Sequence, residues 1–246
     1  MGISQVGKAS DFDSDMHRFE SCIPYHKEEQ MSHTLLNEYN INICYDYCTG
    51  NTKSFESLDE NYINLLLTYV TDKNSSTIRE AITCKAAGYK WLTEKHGMDA
   101  IDEKTGKLKE IKPTTNYAEN SPSSGGGNFN DFRLERHQKY LNENYDILCS
   151  MFSHHRLIYV VEFPYSVIAS HIEKNILRVM ENQVKGNNTR CSPSFSYTDY
   201  INYPNLIVHY LDSRTARMYN AINRKHIEIL EIINSQTHDI TQFFES

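Results

Sequence analysis

The sequence contains no surplus of basic residues, no paired cysteine motif and no long apolar run. Lys and Arg number 25 against 32 Asp and Glu, which gives a formal net charge of -7. A protein that coats nucleic acid without selectivity needs an excess of positive charge to neutralise phosphates, so this balance argues against that class. It leaves room for a local basic face and for acidic metal ligands.

The cysteines are not arranged as a metal-binding or redox motif. None of the six forms a CxxC pair. Cys44 and Cys48 are close in sequence, but a zinc site needs four ligands and no suitable partners follow at the usual spacing. Because the chain also lacks a secretory signal and an apolar span of about 18 residues, we expect reduced thiols in a cytoplasmic protein without a membrane segment.

The length and composition suit a single large domain. The chain has 246 residues, 39% of them hydrophobic, which is enough for a proper core. Residues 1–30 are polar and charged with few apolar repeats, so they predict an N-terminal arm. We assign residues 31–246 to one domain, with a core at about 75–165 and a C-terminal part at 166–246.

Hydrophobic periodicity predicts the elements of this domain. A helix end followed by a strand is expected over 35–47, and further helices over 58–70, 77–95, 131–143, 167–183 and 216–233. Strands are expected over 145–152, 156–164 and 205–211. This order predicts a mixed α/β (α+β) fold, with a central mixed β-sheet flanked by helices.

The stretch GMDAIDEKTGKLKEIKPTT, residues 97–115, is typical of a β-hairpin. In its second strand Glu110 and Lys112 share one face, because side chains alternate with period two, while Ile111 points to the other. The acid-x-Lys triplet alone is weak evidence, since Asp102-Glu103-Lys104 is a second example. Glu110 differs in lying within a strand-like run rather than in the turn.

The length of the turn decides which acid of the first strand joins Glu110. With an even number of loop residues Asp99 falls on the face of Glu110 and Lys112; with an odd, bulged turn Asp102 does. We favour Asp99, which lies deeper in the strand. Two such carboxylates can share a hard cation such as Mg²⁺, and a neighbouring ammonium can stabilise charge during phosphodiester hydrolysis.

The arrangement resembles the PD-(D/E)xK nuclease superfamily, the fold of most type II restriction endonucleases, with Met98-Asp99 in place of Pro-Asp. The resemblance covers about residues 75–165 and implies a restriction-endonuclease-like core of a helix, three strands, a helix and a strand. It implies Mg²⁺, with Mn²⁺ as a substitute, bound by Asp99, Glu110 and the Ile111 carbonyl, and Lys112 assisting the attacking water. Glu80 is the candidate third acid; the alternative is that it only completes a helix capping box with Thr77.

Polar and basic residues outside the hairpin are candidate DNA contacts. They are Asn128, Asn130, Arg133, Arg136, Lys139, Arg214 and Arg217. For the helical ones a solvated surface is the ordinary alternative. The triplet Gly125 to Gly127 predicts a long loop or mobile flap that closes over a duplex, although a flexible linker needs nothing more.

These features predict a Mg²⁺-dependent endonuclease that cuts double-stranded DNA, with sequence specificity of the type II restriction kind. The resemblance implies products with a 5′-phosphate. Palindromic target sites would favour a two-fold homodimer. Two alternatives stay open: a nuclease of the same fold that acts on RNA or on branched or damaged DNA, and a non-catalytic nucleic-acid-binding module that keeps the hairpin only as structure.

Overall fold

The computed structural model describes residues 36–51, 58–72, 74–93, 97–116, 121–184 and 191–244. The predicted N-terminal arm, residues 1–30, lies outside the described residues. The described residues belong to one compact unit that begins at Leu36. None of the helices in these ranges is both long enough and apolar enough to cross a membrane.

Three helices come first in the described unit, and strands and single helices follow before two final helices. The helices are α1 (Glu38–Thr49), α2 (Glu60–Thr71), α3 (Thr77–Ala87), α4 (Leu134–Asn142), α5 (Ser166–Val184), α6 (Ser213–Met218) and α7 (Arg224–Phe244). The strands are β1 (Lys90–Trp91), β2 (Ala100–Ile101), β3 (Leu108–Asn116), β4 (Gly127–Asn128), β5 (Asp146–Ser153), β6 (Arg156–Pro164), β7 (Ser194–Phe195) and β8 (Ile207–Leu211).

Six of these strands form one mixed sheet in the order β1-β2-β3-β5-β6-β8. β3 and β5 run parallel, with α4 in the connection between them, and the other neighbours are antiparallel. The short strands β4 and β7 pair separately. The prediction of a central mixed sheet flanked by helices is confirmed.

Both faces of the sheet are covered by apolar side chains. On one face Ile43 of α1, Leu66 of α2 and Ile82 of α3 pack with Leu148 and Val160 of the central strands. On the other face residues of α4, α5 and α7 pack with alternate residues of the same strands, including Ile147 and Val161. The near-continuous apolar runs of β5 and β6 are thus explained by burial on two sides.

The helix predicted over 77–95 is shorter than expected, because it ends at Ala87. Gly88 adopts a left-handed conformation, with φ of 72°, and its amide donates to the carbonyls of Cys84 and Lys85. A glycine reaches this conformation without steric cost, so it closes the helix and turns the chain into β1. Tyr89 and Leu92, which continue the helical spacing of Ile78 and Ile82 in the sequence, lie beyond this helix and flank β1.

The strand predicted at the end of 35–47 is also wrong, since residues 38–47 lie in α1. Asn37 caps the helix by accepting a hydrogen bond from the Asn40 amide. The buried side chains Asn40, Ile43, Cys44 and Cys48 recur at helical spacing. The alternation of Asn and Ile over residues 40–43 is too short to distinguish a strand from a helix.

The single helix predicted over 216–233 is two helices, α6 and α7. Between them Asn220 has a φ of 47°, and Ile222 forms an isolated parallel bridge with Ser123. The Ala221 amide closes α6 by donating to the Ala216 carbonyl at 2.9 Å. A left-handed residue interrupts the helical hydrogen bonds, so the chain changes direction there.

Candidate active site

Strand β3 presents Glu110 and Lys112 on one face and the buried side chain of Ile111 on the other. Glu110 is only 5% exposed. The Lys112 ammonium donates to Glu110 Oε1 and lies 4.7 Å from the centroid of the Phe129 ring. The ammonium is therefore held between a carboxylate and an aromatic face.

Asp99 lies on the same face as Glu110. Ala100 pairs with Lys109 and Ile101 with Leu108, so the connection is the even run of residues 102–107. The Ile111 amide donates to Asp99 Oδ2 at 2.7 Å. Asp102 instead stays in the turn, where its carboxylate accepts from the Lys104 amide and the Thr105 hydroxyl. Of the two acids considered for the first strand, Asp99 is therefore the one that lies beside Glu110 in the structure.

The carboxylates around Asp99 outnumber the cations. Burial raises the pKa of Asp99 to about 7, and the charges of Glu110 and Glu80 act in the same direction. The Ile111 amide and the Lys112 ammonium oppose the shift but do not cancel it. Among the described side chains, the three acids face only Lys112 and the nearby Arg136 guanidinium, so the site has a deficit of positive charge.

Glu80 approaches this group from α3. It is half-buried, and its Oε1 accepts a hydrogen bond from the Ser76 hydroxyl. The capping box predicted with Thr77 is wrong, because the N-cap is Ser76 and makes no side-chain cap hydrogen bond; Thr77 is the first helical residue. Glu80 thus has a local partner and also acts on Asp99 through its charge.

Tyr140, on α4, is a part of the site that the sequence did not indicate. Its hydroxyl donates to Glu110 Oε2 at 2.7 Å and accepts from Arg136 Nη2 at 3.0 Å. The Arg136 guanidinium also lies over the Phe132 and Tyr140 rings, at 5.3 and 5.5 Å from their centroids. Burial and the Glu110 charge raise the pKa of Tyr140, so the phenol stays a donor.

No protein-family model matches the chain, and no curated protein matches it either. The resemblance to the PD-(D/E)xK nucleases therefore rests on the hairpin residues and their surroundings alone. In chain order the structure has α3, the strands β1 to β4, α4 and β5.

The donor set at this site fits a hard divalent cation. In the described ranges no three His, Cys, Asp or Glu side chains form a ready metal-binding group. Mg²⁺ does not require one, because it is commonly held by one or two carboxylates with water and phosphate oxygens as its other ligands. Asp99 and Glu110 are the two carboxylates that would hold it, and the excess of negative charge favours a cation there.

The candidate DNA contacts fall into two groups. Asn128, Asn130, Arg133, Arg136 and Lys139 are exposed on β4, on α4 and between them, and Arg136 contacts Tyr140 of the candidate site. Arg214 and Arg217 are exposed on α6, which follows the far end of β8. Arg217 forms a two-point ion pair with Glu231, at 2.8 Å for each contact. All seven DNA contacts stay predictions, and α6 is not brought to the site.

The glycine triplet is packed rather than a free linker. A Cβ on Gly125 would lie 2.8 Å from His226 Cε1, one on Gly126 1.8 Å from the Phe195 carbonyl oxygen, and one on Gly127 2.8 Å from Lys112 Cβ. Each glycine is therefore required by a close approach to a different neighbour. Gly127 belongs to β4, which pairs with β7.

A second cluster of charge lies on the opposite face of β3, where sequence reasoning saw no site. The Lys109 ammonium bonds Asp146 Oδ2 at 2.7 Å and Glu162 Oε1 at 2.6 Å. Lys107 bonds the other Asp146 oxygen at 2.6 Å, and His209 Nε2 lies 2.8 Å from Glu162 Oε2. Every carboxylate here has a cationic or donor partner, so the cluster satisfies itself.

Proposed function

We propose that the chain is a Mg²⁺-dependent endonuclease of the PD-(D/E)xK kind, which hydrolyses phosphodiester bonds of double-stranded DNA at specific sequences. The observation that supports this most is the position of Asp99. Its carboxylate accepts from the Ile111 amide, one residue from Glu110 and Lys112, so two acids and a lysine meet on one buried strand face.

In this proposal Asp99 and Glu110 hold the metal, with the Ile111 carbonyl as a further candidate ligand. Bound Mg²⁺, or Mn²⁺ in its stead, supplies Lewis-acid activation of the phosphate and lowers the pKa of a bound water. Lys112 stabilises the negative charge that develops on the phosphate and orients the attacking water. Tyr140 fixes one oxygen of Glu110, and Arg136 is close enough to that pair to meet a phosphate beside the scissile one.

The test is to incubate the protein with long DNA in Mg²⁺ and, separately, in EDTA, and to separate the products on a gel. We expect discrete bands in Mg²⁺ only. Lys112→Ala should reduce the cleavage rate about 100- to 1,000-fold, the usual cost of removing one group that stabilises transition-state charge. Lys225→Ala, an exposed lysine on α7, is the matched control and should cut at the wild-type rate.

Other results would redirect the proposal. A smear instead of bands would indicate a nuclease without sequence specificity. Cleavage of RNA or of branched duplexes with linear DNA intact would indicate another substrate for the same residues. Intact substrate of every kind, with binding unchanged in Lys112→Ala, would leave a non-catalytic binding module. Discrete cutting at palindromic sites would further predict a two-fold homodimer, which sedimentation measures directly.

A further inference from the structure

A cleft of about 400 Å³ opens beside Lys112. Thr114, which lines it, lies two residues beyond Lys112 on the same face of β3, roughly 7 Å along the strand. Gly127 lines it too, and its backbone approaches Lys112 so closely that a Cβ would lie 2.8 Å from the lysine Cβ. The cleft therefore begins where the candidate active site ends.

The lining of the cleft mixes polar and apolar groups and is not basic. Asn128, His171 and Asp199 contribute side chains, together with serines of β7 and its neighbours. None of the described residues that line the cleft is Lys or Arg. A phosphate would find no cationic partner here, whereas a nucleobase offers the donors and acceptors that amide, imidazole and carboxylate groups recognise. The volume lies in the range of small-ligand sites and suits one nucleotide.

The walls of the cleft are fixed before any ligand arrives. Gly126 touches the Phe195 carbonyl too closely for any side chain, which holds β4 against β7. His171 Nδ1 lies 3.3 Å from Asp199 Oδ1, and the Ser196 amide donates to Asp199 Oδ2 at 2.8 Å. The Asn128 amide nitrogen donates to Asn130 Oδ1 at 3.1 Å, which orients the Asn128 side chain. A preformed cleft loses little entropy on binding.

We propose that this cleft binds one nucleotide of the DNA strand beside the cleaved phosphodiester bond, and that Asn128 reads its base. An asparagine amide pairs with adenine through one donor and one acceptor, so adenine is the expected base. The assignment rests on the proposed nuclease function for its substrate, while its evidence is the cleft itself.

Two measurements on Asn128→Ala test the assignment, with Asn64→Ala as the matched control on the exposed side of α2. The first is cleavage of a duplex library with randomised sequence, followed by sequencing of the cut ends. The second is the affinity for a fluorescent duplex of the preferred sequence in EDTA, where no cleavage occurs. We expect Asn128→Ala to lose the base preference at one position next to the cut and to bind about tenfold more weakly.

The outcomes separate the cleft from the catalytic proposal. If the wild type cuts and Asn128→Ala retains both its base preference and its affinity, the cleft does not read a base and the nuclease proposal stands. If the wild type does not cut but binds DNA through Asn128, the nuclease proposal fails and the cleft assignment stands. Equal binding by Asn128→Ala and Asn64→Ala would overturn the cleft assignment in either case.

Discussion

Strand β3 carries buried charge on both of its faces, and the two clusters differ in their balance. On one face Asp99, Glu110 and the nearby Glu80 share the Lys112 ammonium, with Arg136 as the next cation. On the other, Lys109 stands between Asp146 and Glu162, with further partners on each acid. The same residue types on adjacent positions of one strand thus build one cluster with a charge deficit and one that is neutralised.

The difference is visible in the acids themselves. Burial raises the pKa of Asp99 to about 7, and the charges of Glu110 and Glu80 add to the shift. Burial would also raise the pKa of Glu162, yet hydrogen bonds from His209, Lys109 and Tyr89 lower it to about 2. A cluster that satisfies its own charges needs no ligand and serves the fold, whereas a cluster with a deficit would be stabilised by the cation that we propose for it.

The largest expected effect is the removal of the central cation of the neutralised cluster. Lys109→Met keeps most of the aliphatic side chain but removes the ammonium group that lies between the buried Asp146 and Glu162. We expect the free energy of unfolding to fall by about 3–5 kcal/mol, the usual cost of breaking a buried pair from one side. Urea unfolding measures it, with Lys104→Met in the exposed turn as the control. Equal stability of the two variants would show that the cluster does not support the fold.

The second effect is on acid stability. Because the folded-state pKa of Glu162 is about 2, below its ordinary value of 4.5, its contribution is fully present above about pH 4.5 and is lost as the pH falls towards 2. The loss should reach about 3 kcal/mol. Glu162→Gln should show a flatter dependence over this window in urea unfolding followed at several pH values. Parallel curves for variant and wild type would contradict the assignment.

The third effect is an increase in the free energy of unfolding when Mg²⁺ binds. We expect it to depend on the face of β3 that carries Glu110 and not on the neutralised cluster. At a Mg²⁺ concentration 100 times its Kd, binding to the folded state adds about 2.7 kcal/mol. Thermal unfolding with Mg²⁺ and with EDTA measures this without reference to cleavage. Asp99→Asn should lose the effect and Asp102→Asn should keep it. If Mg²⁺ still raises the unfolding temperature of Asp99→Asn, the metal binds elsewhere and not at this site.

The smallest expected effect is a gain in stability, whereas removal of a charge from the neutralised cluster should cause a loss. Asp99→Asn retains an oxygen to accept from the Ile111 amide but removes one of the crowded negative charges. In EDTA at neutral pH we expect it to raise the free energy of unfolding by about 0.5–2 kcal/mol while it abolishes cleavage, the usual exchange of activity for stability at a functional site. Asp102→Asn is again the control. A less stable Asp99→Asn would mean that the carboxylate is already neutralised.

The fold and the hairpin follow from local patterns that the structure preserves. The apolar runs of 145–152 and 156–164 predicted β5 and β6 to within a residue at each end, because burial on both faces leaves an unbroken hydrophobic signal. The period of two along β3 was enough to pair Glu110 with Lys112. The even turn of residues 102–107 then placed Asp99 beside them.

What was missed depends on contacts distant in sequence. Tyr140 reads as an ordinary apolar position of α4 until the fold brings Glu110 to within 2.7 Å of its hydroxyl. Lys109 and Glu162 read as solvated charges, since only the sheet order brings them together. The early end of α3 depends on the left-handed Gly88, and the break between α6 and α7 depends on the left-handed Asn220. Hydrophobic periodicity does not detect single residues of this kind.

The packed glycines limit how far the chain can be divided. Gly125 lies against His226 of α7, while Gly127, two residues later, lies against Lys112. The segment 75–165 carries every proposed catalytic residue. Its glycine triplet therefore packs against α7, which lies outside the segment. Cut out alone, it would also leave β6 without its neighbour β8. A shortened variant of this protein that folds has to keep α7, although α7 contributes no proposed metal ligand.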